Sequence, residues 1–391
     1  MKICHVITRL IVGGAQENTL ATCIGLQKRG YYVELLTGPQ TGPEGSLLPE
    51  ATQLPVTIIP NLRREPNPWH DIRAAAELTR LFRARRYDIV HTHSGKAGIL
   101  GRLAARLAGV PIVVHTIHGP SFYPQQNPLA NWLFRWLEQL AAEWTSHFVS
   151  VADAMTDQYQ AAGINGRYIT IRSGFNLEAF LQVPQQPENH PPTVGKIARF
   201  SRLKGHQFLF EIAPRIVEAV PNARFLLVGD GIYRARYERL AERLGLRDSF
   251  EFAGLVPPSQ IPAYLARMTV LVHLSLREGL ARALPQAMAC GKPVVSFDIG
   301  GAREVCRDNE TGFLVRAGDT TALADAVIRL LQDKALAAKL GAAGRELVRQ
   351  HFAEETMVEQ IESLYQQLLA EHRLRLAAPS NPVVAPHPNT D

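Results

Sequence analysis

Along the first 180 residues, apolar positions fall into short, nearly unbroken runs separated by segments with a three-to-four-residue period. The runs KICHVI, YYVELLT, VTIIP, DIVHTH, PIVVHTIHG and HFVSVA predict strands buried on both faces. Between them, Ile72, Ala75, Ala76, Leu78, Leu81 and Phe82 have helical spacing, and so do the stretches 14–26, 96–108 and 129–145. This alternation predicts an α/β domain with a doubly wound, Rossmann-like parallel sheet over residues 1–183. QVPQQPENHPP has no period and reads as a linker at 184–192. The alternation then restarts with VGKIARF, RFLLVGDG, SFEFAG and VLVHLS, so residues 193–353 predict a second Rossmann-like domain. A last helix follows near 354–375, and residues 376–391 have the proline-rich composition of a disordered tail.

Length supports two cores, since 391 residues exceed what one ordinary domain buries. The four cysteines form no Cys-x-x-Cys pair, which argues against a zinc site or a disulfide framework and fits a reducing cytoplasm. Arg9 interrupts the apolar N-terminus, which reads as a first strand and glycine turn rather than a signal peptide. No run approaches the roughly 20 apolar residues of a membrane span. The net charge is +6, and residues 61–110, with ten basic and four acidic side chains, carry all of it. That region reads either as solvated helix faces or as a peripheral contact with an anionic membrane or lipid diphosphate. It lacks the motifs and interleaved aromatics of a nucleic-acid interface, so no nucleic acid is expected. The aromatic segment SFYPQQNPLANWLFRW reads as core packing or as an interface for a lipid-linked ligand.

Candidate chemistry concentrates in LSLREGLARALPQAMACGKPVVSFDIGGAREVCRDNETGFLV, residues 274–315. Glu278 and Gly279 follow an apolar strand and precede a helix, pairing a hydrogen-bond acceptor with free backbone N–H donors. Such a pair suits a ligand with hydroxyls at one end and phosphates at the other. Arg199 and Lys204, in IARFSRLKG, supply two cations able to stabilise charge that develops on a leaving phosphate. Gly13 and Gly14 form a strand-to-helix turn, as do Gly229 and Gly231, and His118 ends its strand in HTIHG. His91 and His93, spaced i, i+2 with no third ligand, do not make a metal site.

The segment with Glu278, Ala-Met-Ala-Cys-Gly-Lys-Pro-Val-Val and Gly300-Gly301-Ala-Arg-Glu304 resembles the donor-binding signature of family 4 glycosyltransferases. The resemblance spans about residues 1–370. It implies the GT-B architecture, with two Rossmann-like domains facing across a cleft and the last helix crossing back to the first domain. It implies a retaining, metal-independent transferase moving a sugar from a nucleotide diphosphate, UDP-linked, to a glycan or lipid-linked saccharide. The nucleotide sugar is then a substrate, and neither cofactor nor metal is expected. Glu278, His118, Arg199 and Lys204 become the catalytic set. Gly13, Gly14, Gly229, Phe252, Ala253, Gly254, Gly279, Leu280, Ala281, Arg282, Gln286, Gly300 and Gly301 become the donor-binding set. Arg282 either contacts phosphate or lies on the surface, and Glu304 either meets the donor or stabilises its helix start. Gln286 departs from the family's second Glu, replacing a charge-assisted bond to ribose with a weaker neutral one. An epimerase of the same fold, or a non-catalytic nucleotide-sugar-binding subunit, is compatible with the same motifs. A dehydrogenase is disfavoured because no full Gly-x-Gly-x-x-Gly is present. A cytoplasmic protein, peripheral on the inner face of the membrane, is the corresponding expectation.

Overall fold

The computed structural model describes residues 1–40, 42, 44–123, 126–184 and 190–377. Most of the linker and the tail from 378 lie outside the described residues, as do Pro124 and Gln125 of the aromatic segment. The first sheet contains β1 (Lys2–Ile7), β2 (Tyr32–Thr37), β3 (Val56–Ile58), β4 (Ile89–His93), β5 (Ile112–Ile117), β6 (His147–Ser150) and β7 (Tyr168–Thr170). Its order is β3-β2-β1-β4-β5-β6-β7, all parallel. The second contains β8 (Thr193–Ile197), β9 (Arg224–Val228), β10 (Phe250–Gly254), β11 (Val270–His273), β12 (Val294–Phe297) and β13 (Gly312–Val315). Its order, β10-β9-β8-β11-β12-β13, is also parallel. In each sheet the order reverses beside the first strand, between β1 and β4 and between β8 and β11. At such a point the strands' carboxyl ends open into a crevice.

Each sheet is covered on both faces. The helices Pro68–Arg85 and Gly95–Ala108 close one side of the first sheet over Leu78, Phe82, Val90 and Ala104. The helix Gly14–Lys28 closes the other, together with the last helix, Glu354–Ala377, which packs Met357, Val358, Ile361 and Tyr365 against Ile3, Leu35 and Val114. A third core runs through both halves and joins Phe148, Tyr159 and Phe175 to Leu284, Met288 and Phe352. The chain returns from the second half to the first through Phe175, whose N–H donates to the Phe352 carbonyl at 3.1 Å.

Helices Pro68–Arg85 and Pro128–Ala142 both begin at an Asn-Pro pair. Each Asn accepts from two N–H groups of the first turn, and each Pro occupies a position whose N–H has no helical partner. The basic window between 61 and 110 is partly internal. Arg102 is wholly buried and donates to Glu138 at 2.5 Å and to the Gly98 carbonyl at 2.9 Å. Arg85 pairs with buried Glu34, and Lys96 with Asp71. The exposed cations are Arg63, Arg64, Arg73, Arg80, Arg83, Arg86 and Arg106.

Two predictions follow from these buried polar groups. Removing one member of the Arg102–Glu138 pair strands a charge in the core, so Glu138→Leu should lower unfolding free energy by ~3–5 kcal/mol. The double variant Arg102→Met/Glu138→Leu should recover most of that loss, and urea titration measures both. The first sheet also buries His5, His91, His93 and His115, and burial lowers all four, His5 to about 3 and the others well below the ordinary value. Their unfolded pKa is about 6.5. Below that value the unfolded chain takes up protons that the folded chain refuses, so stability is full above pH 6.5 and declines as pH falls toward 3. Each histidine adds a slope of about 1.4 kcal/mol per pH unit in that window. The urea midpoint should therefore drop steeply between pH 6.5 and 4.5, and an unchanged midpoint contradicts four neutral core imidazoles.

Candidate functional site

The reversal point of the second sheet brings the two strongest sequence candidates together. Arg199 and Lys204 follow β8, Glu278 follows β11, and these strands are hydrogen-bonded neighbours. Lys204 Nζ donates to Glu278 Oε1, and His273, at the end of β11, places Nε2 3.5 Å from the same oxygen. Burial works to raise the Glu278 pKa, but Lys204 and His273 outweigh it and hold the carboxyl ionised, below the usual carboxylate range. Beneath them lies Lys196, in the middle of β8, fully buried, with no hydrogen-bond partner for Nζ among the described residues. Burial, then Lys204, lowers its pKa to about 7. Arg199 turns toward the first half, 3.5 Å from Glu44, which also holds Arg9 at 3.2 Å.

After Glu278 the N–H groups of Gly279, Leu280 and Ala281 have no acceptor among the described residues. The helix Ala283–Ala289 starts immediately beyond, with Pro285 in its first turn. Arg282 faces the cleft and is largely buried. Its guanidinium lies 3.4 Å from Glu17 and 5.9 Å from the Phe175 ring centre, and its aliphatic stem lies against Gly14. Its Nε and Nη1 have no hydrogen-bond partner among the described residues. Gln286 is buried on the same helix, and its amide group is unpartnered among the described residues.

The first half supplies the opposite wall. His118 follows β5, and its backbone carbonyl approaches Gly279 so closely that a Cβ there would lie 2.3 Å from the oxygen. Burial, then Arg282, lowers the His118 pKa to about 3, so the imidazole is neutral. Gly13 precedes the helix Gly14–Lys28, and Gly14 leaves room for the Arg282 stem, 3.2 Å from where a Cβ would stand. Arg277 donates to the Pro120 carbonyl and stacks on Tyr123.

Several expected donor contacts have a different local explanation. The Gly301 N–H donates to the Gly279 carbonyl at 2.7 Å, and Gly300, at φ 58°, lies against the Glu278 and Gly279 carbonyls. The close approach these glycines permit is to the chain's own backbone. Gly229 donates its N–H to the Gly254 carbonyl and lies against Ala198 and Arg199, so it shapes the Arg199 turn. The Phe252 ring joins the Phe200–Phe250 stack and its carbonyl accepts from Arg234, while Ala253 beside it is only half-buried. Leu280 buries its side chain in the shared core and leaves only backbone for a ligand. Glu304 lies in the first turn of its helix but makes no cap hydrogen bond there. It accepts from the Ala154 N–H at 3.1 Å and pairs with Arg172 at 3.0 Å, tying the two halves together.

Sequence reasoning passed over His273, Lys196 and His5. A lysine inside TVGKI and a histidine ending VLVH break otherwise apolar strands, and that interruption was the available signal. His5 brings its ring nitrogens within 4.8 Å of those of His91 and His93, the third histidine absent from the i, i+2 pattern. All six nitrogens of the three rings are engaged in contacts with one another, His118, Tyr365 or Thr116.

Comparison with known proteins agrees with this fold. Residues 13–174 match the model of the glycosyl transferase 4-like domain, and residues 180–347 match glycosyl transferases group 1. The putative glycosyltransferase EpsD of Bacillus subtilis is 30% identical over 78% of this chain and 83% of its own length. The Escherichia coli UDP-Gal:alpha-D-GlcNAc-diphosphoundecaprenol alpha-1,3-galactosyltransferase is 28% identical over 86% of this chain and 89% of its own. Among solved structures, sucrose-phosphate synthase from Thermosynechococcus elongatus superposes with a TM-score of 0.81 at 23% identity, covering 95% of this chain and all of that one. Anabaena HepE in complex with UDP superposes at 0.77 and 22% identity, over 94% of this chain and all of its own. With two Rossmann-like halves facing across a cleft and both family models matched in order, the chain belongs to the family 4 glycosyltransferases of the GT-B fold.

Proposed function

We propose that this glycosyltransferase moves a sugar from a UDP-linked donor to a hydroxyl of a lipid-linked saccharide, with retention and without a metal. One observation carries the reading. At the reversal point, three consecutive N–H groups without acceptors among the described residues, the Arg282 guanidinium, held only by a long 3.4 Å contact to Glu17, and the Lys204 ammonium border the ionised carboxylate of Glu278. Donors and cations of that kind suit a diphosphate, and the carboxylate suits sugar hydroxyls. UDP as the donor's nucleotide is supported by the E. coli relative's name and by the UDP complex of the structural neighbour. The cleft then divides between residues 1–183, which face the acceptor, and 193–353, which hold the donor.

In this reading the bond between the anomeric carbon and the β-phosphate oxygen breaks as the acceptor oxygen bonds to the same face of that carbon. The acceptor proton passes to the leaving phosphate. Arg199 and Lys204 stabilise the charge growing on that phosphate more than they stabilise the bound donor, which is what lowers the barrier. They also supply the positive charge a metal would otherwise bring. Glu278 and His118 orient the sugar. Gln286 accepts from a ribose hydroxyl through its amide oxygen.

The acceptor side is supported by an apolar face bordered by arginines. On the helix Pro128–Ala142, Trp132 and Trp136 stack at 6.4 Å while 61% and 47% exposed, flanked by exposed Leu129 and Leu133. Trp69 and Ile72 are exposed beside an open groove of about 1070 Å³ lined by Arg80, Arg83, Leu103 and Leu107. Exposed tryptophans with arginines fit the interface of an anionic bilayer. No helix among the described residues is long and apolar enough to cross one.

Calorimetry in EDTA tests the donor site. UDP should bind, and Arg199→Ala and Lys204→Ala should each weaken it about tenfold or more, the loss of one charge-assisted bond. Binding indifferent to both substitutions, or dependent on added Mg²⁺, overturns the assignment. Vesicle co-sedimentation tests the apolar face. Anionic phospholipid vesicles should retain the protein more than neutral ones, and Trp132→Ala/Trp136→Ala should release it without changing UDP affinity.

A further inference from the structure

Lys196 occupies the strand at the reversal point of the second sheet, β8, with β9 on one side and β11 on the other. It is 1% exposed, and its Nζ has no hydrogen-bond partner among the described residues. Its surroundings are mostly apolar. It stands opposite Leu227 of β9, and Val194, two residues before it, packs with Val270 and Val272 of β11. The ionisable groups close enough to interact with its charge are Lys204 and His206, which follow β8, and His273 and Glu278, which end and follow β11. Glu278 is the one acid of that set, and Lys204 already donates to it.

A buried ammonium without acceptors costs far more than the neutral amine, so a lysine in this position gives up its proton readily. Burial first, then repulsion from Lys204, lowers its pKa to about 7 against the smaller pull of Glu278. A bound diphosphate reverses that balance. Its charge arrives at Arg199 and Lys204, the cations that follow β8, and it competes with Glu278 for Lys204. Glu278 then shares its counter-ion with the ligand, and the buried site gains negative charge that only a further cation offsets. His273, 3.5 Å from the same Glu278 oxygen, is lowered by burial from the ordinary histidine value, and His206 is lowered well below it. Both imidazoles are therefore neutral above pH 7, and Lys196 is the group that charges first.

We propose that Lys196 is a proton-linked positioning residue of the donor site, taking a proton from solvent when a nucleoside diphosphate binds against Arg199 and Lys204. The new ammonium replaces, for Glu278, the charge that Lys204 turns to the phosphate. Glu278 stays ionised and in place while Lys204 serves the leaving group, and Lys196 need not touch the ligand. The choice of ligand rests on the glycosyl-transfer reading. Because binding favours the charged lysine, the charged lysine equally favours binding. Below pH 7 Lys196 is charged with or without ligand and adds no pH dependence. Above pH 7 the free protein must first take up the proton, so affinity falls as pH rises.

Calorimetry of UDP binding to the full-length protein at pH 8, in two buffers of different ionisation enthalpy, counts the protons taken up. The terminal phosphate of UDP, with a pKa of about 6, is ionised throughout. Wild type should take up more than about half a proton per UDP, and its Kd should rise about five- to tenfold between pH 7.5 and 8.5. Lys196→Met keeps the length of the stem without the charge. It should take up no proton, bind more weakly than wild type at pH 7.5 and show a flat profile. Lys196→Arg stays charged at every pH used, so it should also take up no proton, yet keep at pH 8.5 about the affinity of wild type at pH 7. A lysine with a purely structural role predicts substitutions that shift affinity without changing the proton count or the slope. Uptake below half a proton in wild type, or undiminished uptake in either folded variant, overturns the proposal and leaves the transferase reading standing, since UDP still binds. If Lys196→Met does not fold, Lys196→Arg decides alone. Folded wild type that binds no UDP overturns both.

Discussion

The cleft depends on one backbone-to-backbone approach, the His118 carbonyl against Gly279. Any side chain at 279 would stand 2.3 Å from that oxygen, so the two halves can meet there only at glycine. The same constraint repeats one layer deeper, where Gly300 and Gly301 fit under the carbonyls of Glu278 and Gly279, and Gly301 also faces Ala152 of the first half. Because Glu278 directly precedes the contact, main-chain geometry sets its position against the first half, while its carboxylate turns to Lys204 and His273.

Charge is arranged around that contact by sign. The second half brings Lys196, Lys204, Arg199 and Arg282 toward the crevice, and it keeps one carboxylate, Glu278, ionised among them. The first half answers with neutral imidazoles and with two acids, Glu17 and Glu44, that reach Arg282 and Arg199. Those two pairs span the cleft at 3.4 and 3.5 Å, long enough to be weak. An anionic ligand would therefore compete with them for the arginines at little cost in interaction energy. A charged histidine at 118 would add repulsion to Arg282, and burial removes that option.

The alternation of strands and helices was legible because strands buried on both faces are apolar throughout. Most of the thirteen strands among the described residues stand out for that reason. The exceptions are instructive. Tyr168–Thr170 is a three-residue edge strand too short to carry a period, and Gly312–Val315 follows a turn that obscures it. The helices Thr320–Gln332 and Lys334–His351 were not singled out because no chemistry drew attention to them, although their apolar spacing is clear. Within the site, contiguous motifs were readable and cross-chain partners were not. Glu278 was visible in its segment, but its bond to Lys204 joins residues 74 positions apart. Glu304 looked like a helix-start acid, and only the fold shows it accepting from Ala154, 150 residues away. The basic window misled in part, since Arg85 and Arg102 look like surface cations until Glu34 and Glu138 appear beside them.

The last helix shows why composition of one half cannot be read in isolation. Residues 354–377 follow the donor half in sequence, yet Met357, Val358, Ile361 and Leu364 complete the core beneath β1 and β2. Without them that face of the first sheet would expose Ile3, Leu35 and Val114, and the isolated first half would lack a wall. The same helix delivers Tyr365 to one ring nitrogen each of His5 and His91, which an apolar side chain at 365 would leave buried and unpaired at a cost of about 1–3 kcal/mol each. Apolar packing and polar satisfaction thus call for the same helix, and either requirement alone would hold the return crossing through Phe352 and Phe175 in place. The crossing also fixes how far the two sheets can separate, because the core joining Phe175 to Leu284 and Met288 lies directly beside it.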